Sequence, residues 1–213
     1  VEGAVYHTRK GDIVTSPLEH PALESVLRRV AQREGRALHF CKAGRDGQLD
    51  LDSLEAVLNE NTALLAVHHV QSETGTLQDL KAIRGILDRK APNAVFLADT
   101  IQSIGKIRVP WTEARLDIMT LSGQKIGCPS GGALVYRPVL DKSMKRIRTL
   151  EHRIGRCVPA AAMTVANHLS ELLLEIDENA VYAAELKDTL RTCLEEEGVK
   201  YRLTVKASRS SPY

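Results

Sequence analysis

A lysine held where water solvates it poorly gives up its proton more easily, and its free amine can condense with an aldehyde. Lys125 stands in such a place. It lies in Ser122-Gly-Gln-Lys-Ile-Gly127, just past an apolar run, where a purely solvent-facing lysine is harder to explain. Asp99 closes a different apolar run, Ala94–Ala98. Read alone, it fits a helix N-cap or a surface carboxylate as well as a site acid. Together the amine and the carboxylate are the pair that pyridoxal phosphate chemistry requires, one for the imine and one beside the pyridinium nitrogen. The carboxylate keeps that nitrogen protonated, because a close opposite charge favours the charged form. A protonated ring is the better electron sink for a carbanion at a substrate α-carbon.

The elements that must carry these residues are legible as apolar runs alternating with amphipathic stretches. Asp12–Ser16 is a short β-branched run, and Ala37–Cys41 is a second strand followed by a turn at Arg45-Asp-Gly47. Ala63–Val70, Ala94–Ala98 and Asp117–Leu121 are apolar with no alternation, as in strands buried on both faces, and Gly132–Tyr136 is one more. Between them, Leu23, Val26, Leu27, Val30 and Ala31 recur at helical spacing after His20-Pro21, and Gly35 ends that helix. Asp52 with Glu55 resembles a capping box opening a helix with Leu54, Val57 and Leu58. Asp79–Arg89 carries Leu80, Ile83, Ile86 and Leu87 on one face. Val158–Glu197 is too long for one ordinary helix, so a break is predicted near Asp177–Asn179. The pattern predicts α/β architecture with a mostly parallel sheet covered on both sides. Ligands of such sheets gather beyond the carboxyl ends of the strands, where the polar residues Gln71-Ser72-Glu73, Asp99 and Ser122–Lys125 fall.

Composition narrows the function further. Among 213 residues, 29 Lys+Arg stand against 27 Asp+Glu, and no basic run reaches five, which argues against nucleic acid as a partner. No apolar stretch is long enough to span a bilayer, so no membrane role is expected. Cys41, Cys128, Cys157 and Cys193 lie far apart. Their spacing suits neither a zinc site nor a small disulfide scaffold, and a reducing cytoplasm is the expected location. No metal site is predicted. Both ends read as cut, with Val1–Tyr6 like the inside of a hydrophobic element and Ser208–Tyr213 stopping where a strand is expected.

Four runs, in order, resemble cysteine desulfurases: Glu19-His-Pro-Ala22, His69-Val-Gln-Ser-Glu-Thr-Gly75, Ala98-Asp-Thr-Ile-Gln-Ser-Ile-Gly-Lys106 and Ser122-Gly-Gln-Lys125. These enzymes belong to the class V aminotransferase group of fold-type I pyridoxal phosphate enzymes. The resemblance covers about residues 10–140. It implies a three-layer αβα cofactor-binding domain over residues 1–175, lacking its N-terminal part, and the start of a smaller α+β C-terminal domain over 176–213. It implies that Lys125 forms the imine with pyridoxal 5′-phosphate and moves protons at the α-carbon. His20 is then the ring stacked on the pyridine, a second catalytic group. Asp99 pairs with the ring nitrogen, Gln102 hydrogen-bonds the phenolic oxygen, Ser122 and Gln124 face the phosphate, and Gln71 lies beside the ring. L-cysteine or a related amino acid is the implied substrate, with sulfur passed to a cysteine thiolate, alanine left behind, and a sulfur-acceptor protein of iron–sulfur cluster assembly beyond. A homodimer is implied, with the basic cluster Lys142–Arg156 suited to a neighbour's phosphate.

The departures are specific. Gln124 stands where desulfurases usually carry His, and Gln is found there in alanine–glyoxylate-type aminotransferases of the same group. Gln71 replaces the usual Asn, and the family's Arg-x-Gly-Thr segment is present only loosely as His152-Arg-Ile-Gly-Arg156. The family's glycine-rich phosphate loop is expected before this segment, and its cysteine loop and carboxylate-binding arginine after Tyr213. The segment alone is therefore expected to be inactive. The other readings are a selenocysteine lyase, a small-amino-acid aminotransferase, or a non-catalytic fold relative used in binding.

Overall fold

Strands without polar alternation need apolar cover on both faces, and those at the sheet's centre have it, whereas the edge run Gly132–Tyr136 is exposed or half-buried. In the computed structural model, which describes residues 2–6, 8–129, 131–140 and 159–213, six strands form one sheet. They are β1 (Asp12–Thr15), β2 (Leu38–Phe40), β3 (Thr62–His68), β4 (Val95–Asp99), β5 (Ile118–Ser122) and β6 (Gly132–Tyr136). The order is β2-β1-β3-β4-β5-β6, parallel throughout except for β6, which runs antiparallel to β5.

Alternate side chains of β3 enter two separate cores. Leu65 and Val67 pack with Leu54, Ile83, Leu87 and Phe96, whereas Leu64 and Ala66 pack with Ile13, Leu27, Val30 and Leu97. The first core is covered by α3 (Leu51–Val57) and α4 (Leu80–Lys90), the second by α1 (Glu2–Tyr6) and α2 (Pro21–Glu34). This is the three-layer αβα arrangement that the sequence predicts. Each fully buried Leu, Ile or Val here contributes about 1.5–3 kcal/mol by leaving water, so the sheet's centre is a firm platform for what projects from its edge.

Two sequence expectations are corrected in detail. The cap of α3 is Asp50, whose side chain accepts from the Ser53 amide at 2.9 Å, and not Asp52. Both carboxylates precede the same apolar run; Asp50 is the one whose backbone is extended, as an N-cap requires. The long helical stretch divides at Glu175, into α5 (Pro159–Leu174) and α6 (Ile176–Glu196), two residues ahead of the predicted break. The N-terminal residues form the short helix α1. Beyond α6 the chain returns to the turn after β3, where Ser210 bridges Thr76 and the Ser211 amide donates to the Gly75 carbonyl at 2.8 Å. Among the described residues no helix is long and apolar enough to cross a membrane. The basic cluster Lys142–Arg156, with its His152–Arg156 segment, and Cys157 lie outside the described residues.

Candidate active site

β4 and β5 are adjacent and parallel, so their carboxyl ends open on the same edge of the sheet. β4 ends in Asp99, and β5 ends in Ser122, which leads into a 3-10 turn, Gly123–Ile126, bearing Lys125. That turn closes at Gly127, whose φ of +91° is comfortable only for glycine. On the other side, β3 ends in His68 and the chain continues to Gln71, while α2 begins beside His20. The space among them is a cleft of about 490 Å³, within the range of small-molecule sites. His20, Gln71, Asp99, Gln102, Ser122 and Lys125 all line it.

Gln124 does not. It is exposed on the outer side of its turn, because neighbours on so tight a turn point in different directions. Lys125 differs from its expectation too. It is exposed where it lines the cleft.

Asp99 is 9% exposed, and burial pushes its carboxyl above the usual range. Two hydrogen bonds resist that rise, from the Ile101 amide at 3.0 Å and the Thr120 hydroxyl at 2.9 Å. Both fall on Oδ1, and Oδ2 receives none among the described residues. Among the described residues no cation pairs with this carboxylate.

His20 is the N-cap of α2, and its Nδ1 accepts from the Ala22 amide at 3.1 Å. A neutral ring therefore carries its proton on Nε2, the nitrogen left for the cleft. Pro21 follows at a position where its missing amide costs nothing. Gln71 spends its side-chain oxygen on its own turn, accepting from the amides of Glu73 at 2.6 Å and Thr74 at 2.7 Å. Only its NH₂ group is left for a ligand. Cys128 is buried against Ile126 and Val165 and is not a cleft residue. Burial also pushes the Cys41 thiol up to about 12. Cys193 is exposed.

Beneath the cleft lies a network that the sequence did not disclose. Glu19, its side chain fully buried, accepts through Oε1 from the Ser16 hydroxyl, from the His68 amide at 3.1 Å and from His68 Nδ1 at 2.7 Å. His68 Nε2 in turn faces the side-chain NH₂ of Gln78 at 3.1 Å and accepts from it, which leaves Nδ1 as the donor to Glu19. Glu19 Oε2 has no hydrogen-bond partner among the described residues. The available signal was a histidine ending an otherwise apolar strand, paired with the acid that precedes His20.

Pyridoxal phosphate fits this donor set. Bound there, its ring cation would meet Asp99, its aldehyde the Lys125 amine, its ring face the His20 imidazole, and its phenolic and phosphate oxygens the amide and hydroxyl of Gln102 and Ser122.

Comparison with known proteins agrees with the geometry. Residues 2–168 match the family described as Aminotransferase class-V. A cysteine desulfurase of Nostoc sp. (strain PCC 7120) is 37% identical over 129 residues, covering 60% of this chain and 32% of that protein. The cysteine desulfurase IscS of Escherichia coli O139:H28 is 35% identical over 157 residues, covering 73% of this chain and 38% of that protein. The chain thus spans about a third of the length of these curated relatives. Among solved structures, a NifS-like protein superposes with a TM-score of 0.81 at 22% identity, covering 99% of this chain and 58% of that one. DndA of Streptomyces lividans does so with a TM-score of 0.78 at 25% identity, covering 96% and 58%. An alanine–glyoxylate aminotransferase of Nostoc sp. shares the fold, with a TM-score of 0.75 at 18% identity over 99% of this chain and 61% of that one. The family match takes in every strand and every residue lining the cleft, and the chain belongs to the class V aminotransferase family.

Proposed function

We propose that the protein is a pyridoxal-phosphate-dependent cysteine desulfurase. The observation that carries this is Asp99 and Lys125 at the ends of neighbouring parallel strands, facing one cleft. Bound there, pyridoxal phosphate supplies an aldehyde for the amine and an electron-withdrawing ring for the substrate α-carbon. Five groups around the ring come from this segment. Asp99 holds positive charge at the ring nitrogen, and the Lys125 amine takes the α-proton and returns a proton to the product. His20 covers the ring and offers Nε2 for proton transfer, Gln102 donates to the phenolic oxygen, and Ser122 donates to the phosphate. L-cysteine then yields alanine while its sulfur passes to a cysteine thiolate, which becomes a persulfide. The relatives named cysteine desulfurase support that substrate.

The same reading takes residues 1–175 as the cofactor-binding domain and 176–213 as the opening of a smaller one. It places the active protein in the cytoplasm as a homodimer, supplying a sulfur-acceptor protein. A strictly monomeric protein that still turned over cysteine would contradict the dimer.

Offered L-cysteine, the natively expressed protein is expected to release alanine in step with persulfide sulfur. A keto acid in place of alanine would turn the reading to transamination, which Gln124 in the usual histidine position favours.

His20→Ala is expected to act twice. Loss of the cap should cost about 0.5–2 kcal/mol of stability, read as a lower melting temperature. Turnover should fall while the bound cofactor keeps its yellow colour, which rests on Lys125. Unchanged kinetics would remove His20 from the site.

A further inference from the structure

Gln102 stands where two clefts meet. One is the Lys125–Asp99 cleft, and the other is a larger space of about 720 Å³ lined by Lys106 among others. Lys106 follows Gln102 by one turn and sets its Nζ 3.3 Å from Gln102 Oε1. An ammonium offers donors and no acceptor, so the amide atom that meets it has to be the oxygen. The NH₂ group is then turned to the other side, where it makes no hydrogen bond among the described residues.

From this geometry we propose that Lys106 is a positioning residue, which holds the Gln102 amide with its donor face toward an anionic oxygen of the ligand in the Lys125–Asp99 cleft. The inference rests on the cofactor reading above. Turned over, the amide would set NH₂ against an ammonium and a carbonyl oxygen against the ligand's oxyanion, two repulsive contacts in place of two attractive ones. Charge-assisted contacts of this kind discriminate more sharply than neutral ones.

The surroundings fit a placed residue better than a stray surface charge. Lys106 is half buried, and burial first, then the like charge of Lys125, lowers its hold on a proton. Its base is also clamped. The preceding Gly105 has φ +73°, and a Cβ there would sit 3.1 Å from Ile126 Cγ2 on the Lys125 turn and 3.2 Å from Leu172 Cδ1 of α5. A side chain rooted on such a turn can fix its partner closely.

The test is a double-mutant cycle on the natively expressed protein loaded with pyridoxal 5′-phosphate, using Lys106→Met, Gln102→Ala and the pair. Two quantities are read: the dissociation constant of the cofactor and the absorption maximum of the bound cofactor, which reports the state of its phenolic oxygen. Each single change is expected to weaken cofactor binding about 5- to 10-fold and to move the absorption band in the same direction. The pair should lose no more than Gln102→Ala alone, because Lys106 acts through Gln102. Lys106→Arg, another donor-only head, should restore most of the wild-type spectrum, and it serves if the Met variant does not fold. Losses that multiply in the pair, or a band unmoved by Lys106→Met, would overturn the proposal. So would an Arg variant whose band sits where that of Gln102→Ala does. A wild-type protein that takes up no cofactor would instead remove the reading on which the proposal stands.

Discussion

In the full-length, natively expressed protein, Lys125→Ala is expected to abolish turnover while leaving the fold intact. The amine both anchors the cofactor and shuttles the α-proton in the proposed reaction, and among the described residues no other amine lines the cleft. General acid–base work alone is worth about 10²–10⁴-fold, and the lost covalent exchange adds to that. Stability should move by no more than about 0.5 kcal/mol, since Lys125 is exposed and sits on a short turn. Borohydride treatment followed by mass analysis is the direct check. The wild-type protein should retain the cofactor's mass on Lys125, and the alanine variant should bind the cofactor only reversibly. Near-normal turnover in the variant would make Lys125 an ordinary lysine.

Asp99→Asn is expected to make the cofactor-free protein more stable and the cofactor more weakly held. Burial raises the Asp99 carboxyl above its ordinary range, so the folded chain holds this proton more tightly than the unfolded chain does. Stability from this group is therefore present at acid pH and lost as pH climbs from the ordinary carboxylate range through the raised value. Asparagine has no such proton. It keeps the oxygen that accepts from Ile101 and Thr120, because both bonds fall on Oδ1. The melting temperature of the cofactor-free variant should exceed wild type at neutral pH, and the gap should close on acidification. Cofactor binding should weaken by roughly 10²-fold, since removing one member of a buried charge pair costs about 3 kcal/mol or more. A variant no more stable than wild type at pH 7 would show that Asp99 is not under strain from burial.

The central strands β3 and β4 were readable because both of their faces are buried, which leaves unbroken apolar runs such as Ala63–Val67 in the chain. The place of Asp99 and Ser122 at the sheet's edge was readable for a related reason, whereas His20, Gln71 and Gln102 came from the family resemblance. In a parallel sheet the run's last residue marks the edge where ligands bind, so Asp99 and Ser122 could be placed without coordinates. Finer points depended on direction and not on position. Gln124 and Lys125 are neighbours, but a 3-10 turn sends only Lys125 to the cleft. Gln71 could be placed beside the site, yet not the three-residue turn that claims its oxygen. The Glu19–His68 pair spans 49 residues of chain, and no local pattern encodes so distant a contact. Its third member, Gln78, joins from the far side of a turn bonded to the chain's last residues.

The histidine at the start of α2 carries a consequence for descent. Position 20 both terminates a helix and faces the cleft, so selection on it has two sources that need not vanish together. A lineage that gave up the chemistry would still need an acceptor there to satisfy the Ala22 amide. Asparagine, serine or aspartate could supply one, but alanine, valine or leucine could not. In descendants that no longer bind the cofactor, position 20 should therefore drift toward small polar residues, while Lys125, exposed and idle, would be free to become almost anything.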